Sequence, residues 1–167
     1  MPSGFSPESA TDQDAFFLAK AVTLARRNIE TGDGGPFGAL IVKAGEIISE
    51  GWNQVIISHD PTAHAEIMAI RAASTLLGHH HLNGCVLYAS SEPCPMCLAA
   101  AYWARIERIV FANPREAAAA IGFSDQDLYT ELGRPLEKRQ IPVTHLPLPD
   151  AGEALQAWFA NPKRNAY

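Results

Sequence analysis

Two short stretches, His64-Ala65-Glu66 and Pro93-Cys94-Pro95-Met96-Cys97, give this sequence one imidazole, two thiols and a carboxylate as a set. Side chains three apart on a helix sit about 60° apart around its axis, so Cys94 and Cys97 can grip one ion from a single face. His64 supplies a third ligand, of nitrogen type. Three such ligands leave the fourth corner of a tetrahedral zinc open to water, the layout of a catalytic rather than a structural site. Glu66, two positions beyond His64, points about 200° away from it on an ideal helix. The ion is therefore expected off the helix tip, where His64 binds it and Glu66 approaches the open corner from the side as a proton carrier. Two thiolates and a neutral imidazole leave zinc formally neutral, so its water needs a base close by. A lone C-x-x-C would suit a redox pair or a zinc knuckle equally well. A core histidine with two buried thiols is the plain alternative, and it leaves Glu66 and the two prolines unexplained.

The elements that must position this set follow from periodicity and from start and stop signals. Residues 1–10 (MPSGFSPESA) read as a loose arm. Over 11–31 the residues Ala15, Leu18, Ala19, Val22, Ala25 and Ile29 recur at helical spacing, with Thr11 or Asp12 as N-cap and Gly32 just past the end. A glycine-rich break at 34–38 leads to a strand at 39–42, a turn at 43–46 and a return strand at 47–53. Asp60-Pro61-Thr62 signals a helix start with Asp60 or Thr62 as cap, which puts His64 and Glu66 in the first turn; Gly78 ends that helix. The run His79-His80-His81 invites a metal reading, but adjacent side chains at a helix end point different ways, so the run is read as solvated. Cys85 opens a strand at 85–89 and has no partner at ligand spacing. A second metal-bearing helix starts near Cys94, directly after that strand, where α/β proteins build their sites. Strands at 108–112 and 141–146 and a helix at 150–159 complete the order. Pro142 confines the last strand to an edge. The expected fold is α/β, a three-layer α/β/α arrangement with a five-stranded mixed sheet. Its opening hairpin is antiparallel and its strand-helix-strand units are parallel.

Length and charge narrow the function. At 167 residues the chain suits one domain, 11–167, whose C-terminal helix and tail occupy 150–167. Thirteen Lys and Arg against eighteen Asp and Glu give a net charge of -5, the wrong sign for a broad polyphosphate-binding face. A small, neutral substrate is favoured over nucleic acid. With three cysteines, two committed to metal, there is no disulfide framework. With no basic-then-apolar leader and no apolar run of about 18 residues, a membrane is not expected and a cytoplasmic location is.

The pair H-x-E and P-C-x-x-C, separated by 30 residues from His64 to Cys94, resembles the signature of the zinc-dependent nucleobase deaminases. From about Asp14 onward the chain resembles the cytidine deaminase-like superfamily, and within it the small bacterial guanine deaminases. The similar stretches are 34–39 (GGPFGA), 60–66 (DPTAHAE), 92–97 (EPCPMC), 102–104 (YWA), 121–125 (IGFSD) and 159–167 (FANPKRNAY). Ala99 departs from the pattern, where a glycine is common. The resemblance implies one Zn2+ per chain on His64, Cys94 and Cys97. It implies hydrolysis of guanine to xanthine and ammonia, with Glu66 as proton shuttle and Asp125 as second catalytic carboxylate. It also implies a purine pocket made by Phe37, Asn53, Ala65, Trp103, Asp125 and Tyr167, in a homodimer whose C-terminal segment covers the partner's pocket. A purine suits an aromatic face with a side-chain amide able to donate and accept. The alternatives are a tRNA adenosine deaminase, which shares the same two motifs, and a non-catalytic zinc-stabilised interaction domain.

Overall fold

A computed structural model describes residues 11–166 and divides the chain into two compact units, one ending at Asp125 and one starting at Gln126. The expected N-terminal arm, 1–10, and Tyr167 lie outside the described residues.

The first unit is built on a sheet of four strands among the described residues: β1 (Gly38–Lys43), β2 (Glu46–Trp52), β3 (Cys85–Ser91) and β4 (Arg108–Asn113), in the order β2-β1-β3-β4. β1 pairs antiparallel with both β2 and β3, and β3 pairs parallel with β4. The two strands of each strand-helix-strand unit therefore run in the same direction, as expected. Alternation along β1 divides the core. Leu40 and Val42, with Tyr88, meet Phe17 and Ala21 of α1 (Asp12–Thr31) on one face. Ala39 and Ile41, with Leu87, meet α3 (Ala65–Leu77) and α4 (Pro95–Trp103) on the other.

The expected fifth strand is absent. Residues 141–146 form no ladder and are exposed. Pro142 removes a donor inside this stretch and Pro147 bounds it, leaving a row of four N–H groups, 143–146, short for a strand. The second unit consists instead of α6 (Gln126–Leu132), a 3-10 turn at Leu136–Lys138 and α7 (Glu153–Ala160). Within it, Glu131 pairs with Arg134 and accepts from the Gln140 N–H at 2.8 Å. Two short helices escaped the sequence reading, α2 (Val55–Ser58) and α5 (Arg115–Ala120); at four and six residues neither carries a full amphipathic period.

The first helix has the expected ends, a Thr11–Asp14 capping box and Gly32 at φ +70°, but a rotated face. Its buried residues are Asp14, Phe17, Ala21, Ala25 and Asn28, whereas Ile29 is 75% exposed. A buried charge and a buried amide continue the apolar stripe, which hides its phase from a hydrophobicity count.

One close approach sets the position of α3. A Cβ on Gly51 would lie 2.2 Å from the Ala65 carbonyl oxygen, so only glycine lets the first turn of α3 rest on β2. The Ser49 hydroxyl then donates to the Ala69 carbonyl at 2.7 Å, tying the next turn down.

Candidate metal centre and active site

Both metal-bearing segments reach the site as helix caps. His64, not Asp60 or Thr62, is the N-cap of α3, and Cys94 is the N-cap of α4 with Pro95 at its first turn. Asp60 and Thr62 build the turn before the helix: Asp60 Oδ1 accepts from the Thr62 N–H at 2.8 Å and from its hydroxyl at 2.7 Å. The exit of β3 is fixed by the Glu92 N–H donating to the Asn113 carbonyl at 2.8 Å and by Asn113 Nδ2 donating to Ser90 at 2.9 Å. Sequence-distant residues thus meet at two adjoining helix tips.

His64 Nδ1 lies 3.6 Å from Cys94 Sγ and 3.5 Å from Cys97 Sγ. Ligands of one tetrahedral zinc, with Zn–N near 2.0–2.1 Å and Zn–S near 2.3 Å, stand about 3.5 Å apart, nitrogen to sulfur. Both nitrogen-to-sulfur separations therefore match a shared zinc ion, and all three donor atoms lie within 4.8 Å of one another. Cys97 is fully buried and donates to Cys94, which pushes the Cys94 thiol down to about 4 and its own thiol up.

Glu66, in the first turn of α3, is buried, and that burial raises its carboxyl pKa; Cys94 and His64 both act on it electrostatically, and Cys97 hydrogen-bonds it. Asp125 is half-buried and its pKa is raised, by burial first and by the negative charge of Cys94 next. Phe37 and Asn53 form a second group. The Asn53 N–H donates to the Phe37 carbonyl at 3.0 Å, and Phe37 meets Phe123 edge to face at 5.0 Å. Asn53 is buried, and its Oδ1 accepts from the Gly35 N–H at 3.3 Å and the Val55 N–H at 3.1 Å. Gly34 permits this, because a Cβ there would stand 2.1 Å from Asn53 Oδ1. The Asn53 acceptor is thus in use, and the amide is left to act on a ligand as a donor, not as both. Ala65 is fully buried at the first position of α3, where a backbone N–H has no intrahelical acceptor. Trp103 is the last residue of α4, about 9 Å along the helix from Cys97 and about 13 Å from Cys94, and is 66% exposed.

Asn28 was missed by the sequence reading. Its Nδ2 donates to the Gly35 and Asn53 carbonyls, each at 2.7 Å, clamping the glycine loop to the segment that carries Asn53. The available signal is an asparagine three residues beyond Ala25 on the buried face of α1. Asn28→Ala leaves the buried Asn53 carbonyl without its donor and the Gly35 carbonyl with the Phe37 N–H alone, and is expected to lower the unfolding free energy by about 1–3 kcal/mol; a urea midpoint equal to the parent's would contradict the clamp. A separate cavity of about 300 Å³, lined by Val22, Phe37, Ser90, Asn113 and Ala118 among others, includes none of the three ligand residues.

Residues 11–113 match the model of the cytidine and deoxycytidylate deaminase zinc-binding region. The chain belongs to this deaminase family. It is 51% identical to the guanine deaminase of Bacillus subtilis over 88% of this chain and 96% of that protein. An X-ray structure of guanine deaminase from B. subtilis superposes with a TM-score of 0.90 at 48% identity, covering 92% of this chain and 98% of the other. A tRNA-specific adenosine deaminase of Aquifex aeolicus is 37% identical over 90% of this chain and 96% of that protein. The five-stranded expectation is thereby corrected only in strand number, and the deaminase α/β fold stands.

Proposed function

We propose that this deaminase hydrolyses free guanine to xanthine and ammonia. The carrying observation is the donor set of His64, Cys94 and Cys97 at tetrahedral spacing with the buried Glu66 beside it. The choice of guanine is supported by similarity to a guanine deaminase over nearly the whole of both chains. The lower identity to the tRNA deaminase weighs against the RNA reading, as does the net charge of -5.

A zinc ion on the three ligands would act as a Lewis acid and make water a nucleophile near neutral pH. Glu66 takes the proton of the attacking water, passes it to the ring nitrogen next to C2, and then delivers a proton toward the departing amine. Asp125 holds the exocyclic amine. Asn53, whose acceptor is engaged, presents Nδ2–H to a purine acceptor, and the Ala65 N–H offers a second donor. Phe37 and Trp103 supply aromatic walls; the role that the resemblance implies for Tyr167 falls on a residue outside those described.

The active species is a cytoplasmic homodimer in which the C-terminal segment covers the partner's site. Two observations support the dimer. Tyr102 and Trp103 are 77% and 66% exposed on α4, and the second unit leaves Leu155, Trp158 and Phe159 open to solvent. Burial of such side chains against a second copy would contribute roughly 1.5–3 kcal/mol each. No helix among the described residues is long and apolar enough to cross a membrane. The location is supported by the thiols of the centre, which persist in a reducing compartment.

Stripping the metal with a chelator is expected to abolish xanthine formation, and one zinc per chain to restore it. Full turnover in a preparation shown by elemental analysis to be metal-free would overturn the proposal.

A further inference from the structure

His79 and His80 are exposed, as expected from the sequence, yet the three rings of the run His79-His80-His81 gather in one place. The ring centroids lie 4.7, 5.1 and 4.0 Å apart, and one ring nitrogen from each residue falls within 4.8 Å of the others. The backbone brings this about. Gly78 at φ +66° ends α3, the His79 N–H returns to the Ser74 carbonyl at 3.1 Å, and the His81 N–H donates to His79 Nδ1 at 2.9 Å. That last bond occupies the Nδ1 lone pair of His79, so His79 ligates only once the bond is released, with its proton on Nδ1 and Nε2 freed for the ion. His81 Nε2 is buried and has no hydrogen-bond partner, alone in this respect among the described side-chain atoms, and an orphaned buried nitrogen calls for an occupant.

The helix end favours a cation, against the charge of Arg105 acting on His81. The cluster sits just past the C-terminal end of α3, where unpaired carbonyls and the helix dipole attract positive charge. Three imidazoles with no carboxylate in the group select borderline ions over Mg2+ or Ca2+. The thirteen residues of α3 separate the cluster from His64 by about 20 Å, so it is no part of the catalytic centre. We propose that His79, His80 and His81 form a second metal site, for a divalent transition ion of the Ni2+, Cu2+ or Zn2+ class. The rings close to an N–N spacing of about 3.0–3.4 Å around the ion. The bound ion pins the turn between α3 and β3 and raises the melting temperature by as much as its affinity for the folded turn exceeds that for the unfolded run.

The test starts from protein carrying one zinc per chain, titrated with Ni2+ by calorimetry, with both metals counted by mass spectrometry after dialysis. One nickel per chain is expected with zinc retained and the melting temperature raised. His79→Ala/His81→Ala is expected to weaken nickel binding about tenfold or more with zinc content and turnover unchanged. His81→Gln, which preserves the bulk of the turn, is expected to weaken it too, and His59→Ala/His145→Ala to leave it intact. Nickel bound only in exchange for zinc, no nickel bound, or equal affinity in the folded His79/His81 variants would each overturn the site.

Discussion

Glu66→Gln is expected to lower guanine turnover by about 10²–10⁴-fold, the usual contribution of a positioned general acid-base group, while zinc stays at one per chain. Glutamine matches the shape of the buried side chain and can still hydrogen-bond, but it cannot take a proton from water and return it to the leaving amine. The metal ligands are untouched, since His64 caps α3 and the cysteines sit on α4. Activity and zinc content must therefore separate. Loss of both together would make Glu66 a support for the metal, and undiminished turnover in a zinc-loaded variant would remove it from the mechanism.

Asp14→Ala is expected to cost about 3–5 kcal/mol of stability, the range for breaking one side of a buried ion pair. Asp14 is 2% exposed. Its Oδ1 accepts from Arg108 at 2.6 Å and from the Tyr88 hydroxyl at 2.6 Å, and its Oδ2 accepts from the Thr11 N–H at 2.9 Å. One carboxylate therefore closes the cap of α1 and ties that helix to β3 and β4. The Arg108 guanidinium, more than any other group, holds the Asp14 carboxyl well below the ordinary carboxylate range. A folded-state pKa below the unfolded one stabilises at pH above the unfolded value, near 3.8, and that stability is lost as pH falls through the folded value. The variant should thus be less stable at pH 7 and should lose less stability than the parent on acidification below about pH 4. Parallel stability-pH curves, measured by urea unfolding, would show that this carboxylate does not carry the linkage.

The metal ligands were legible in sequence because helix starts and ligand spacing are local properties. Pro61 and Pro95 announce the two helices, and 3.6-residue geometry places Cys94 and Cys97 on one side. The cap position of His64 was read one turn too early, since Asp60 and Thr62 satisfy each other in a turn rather than cap the helix. Asn28 was illegible for a different reason. Its two acceptors, the Gly35 and Asn53 carbonyls, lie 7 and 25 residues away, and nothing in local periodicity marks a polar residue as buried. The same holds for Asp14, whose partners Tyr88 and Arg108 lie on strands 74 and 94 residues distant. The absent fifth strand shows local chemistry prevailing over composition, because the strand-type residues at 141–146 are cut by Pro142 and bounded by Pro147.

The central claim is tested most directly by following ammonia release from the zinc-loaded protein with free guanine, cytidine and an adenosine-containing tRNA anticodon stem-loop side by side. The account predicts turnover of guanine to one xanthine and one ammonia, with the stem-loop inert. Deamination of the stem-loop with guanine untouched would contradict it, and the roles given to Asn53, Asp125 and Tyr167 would fall with it.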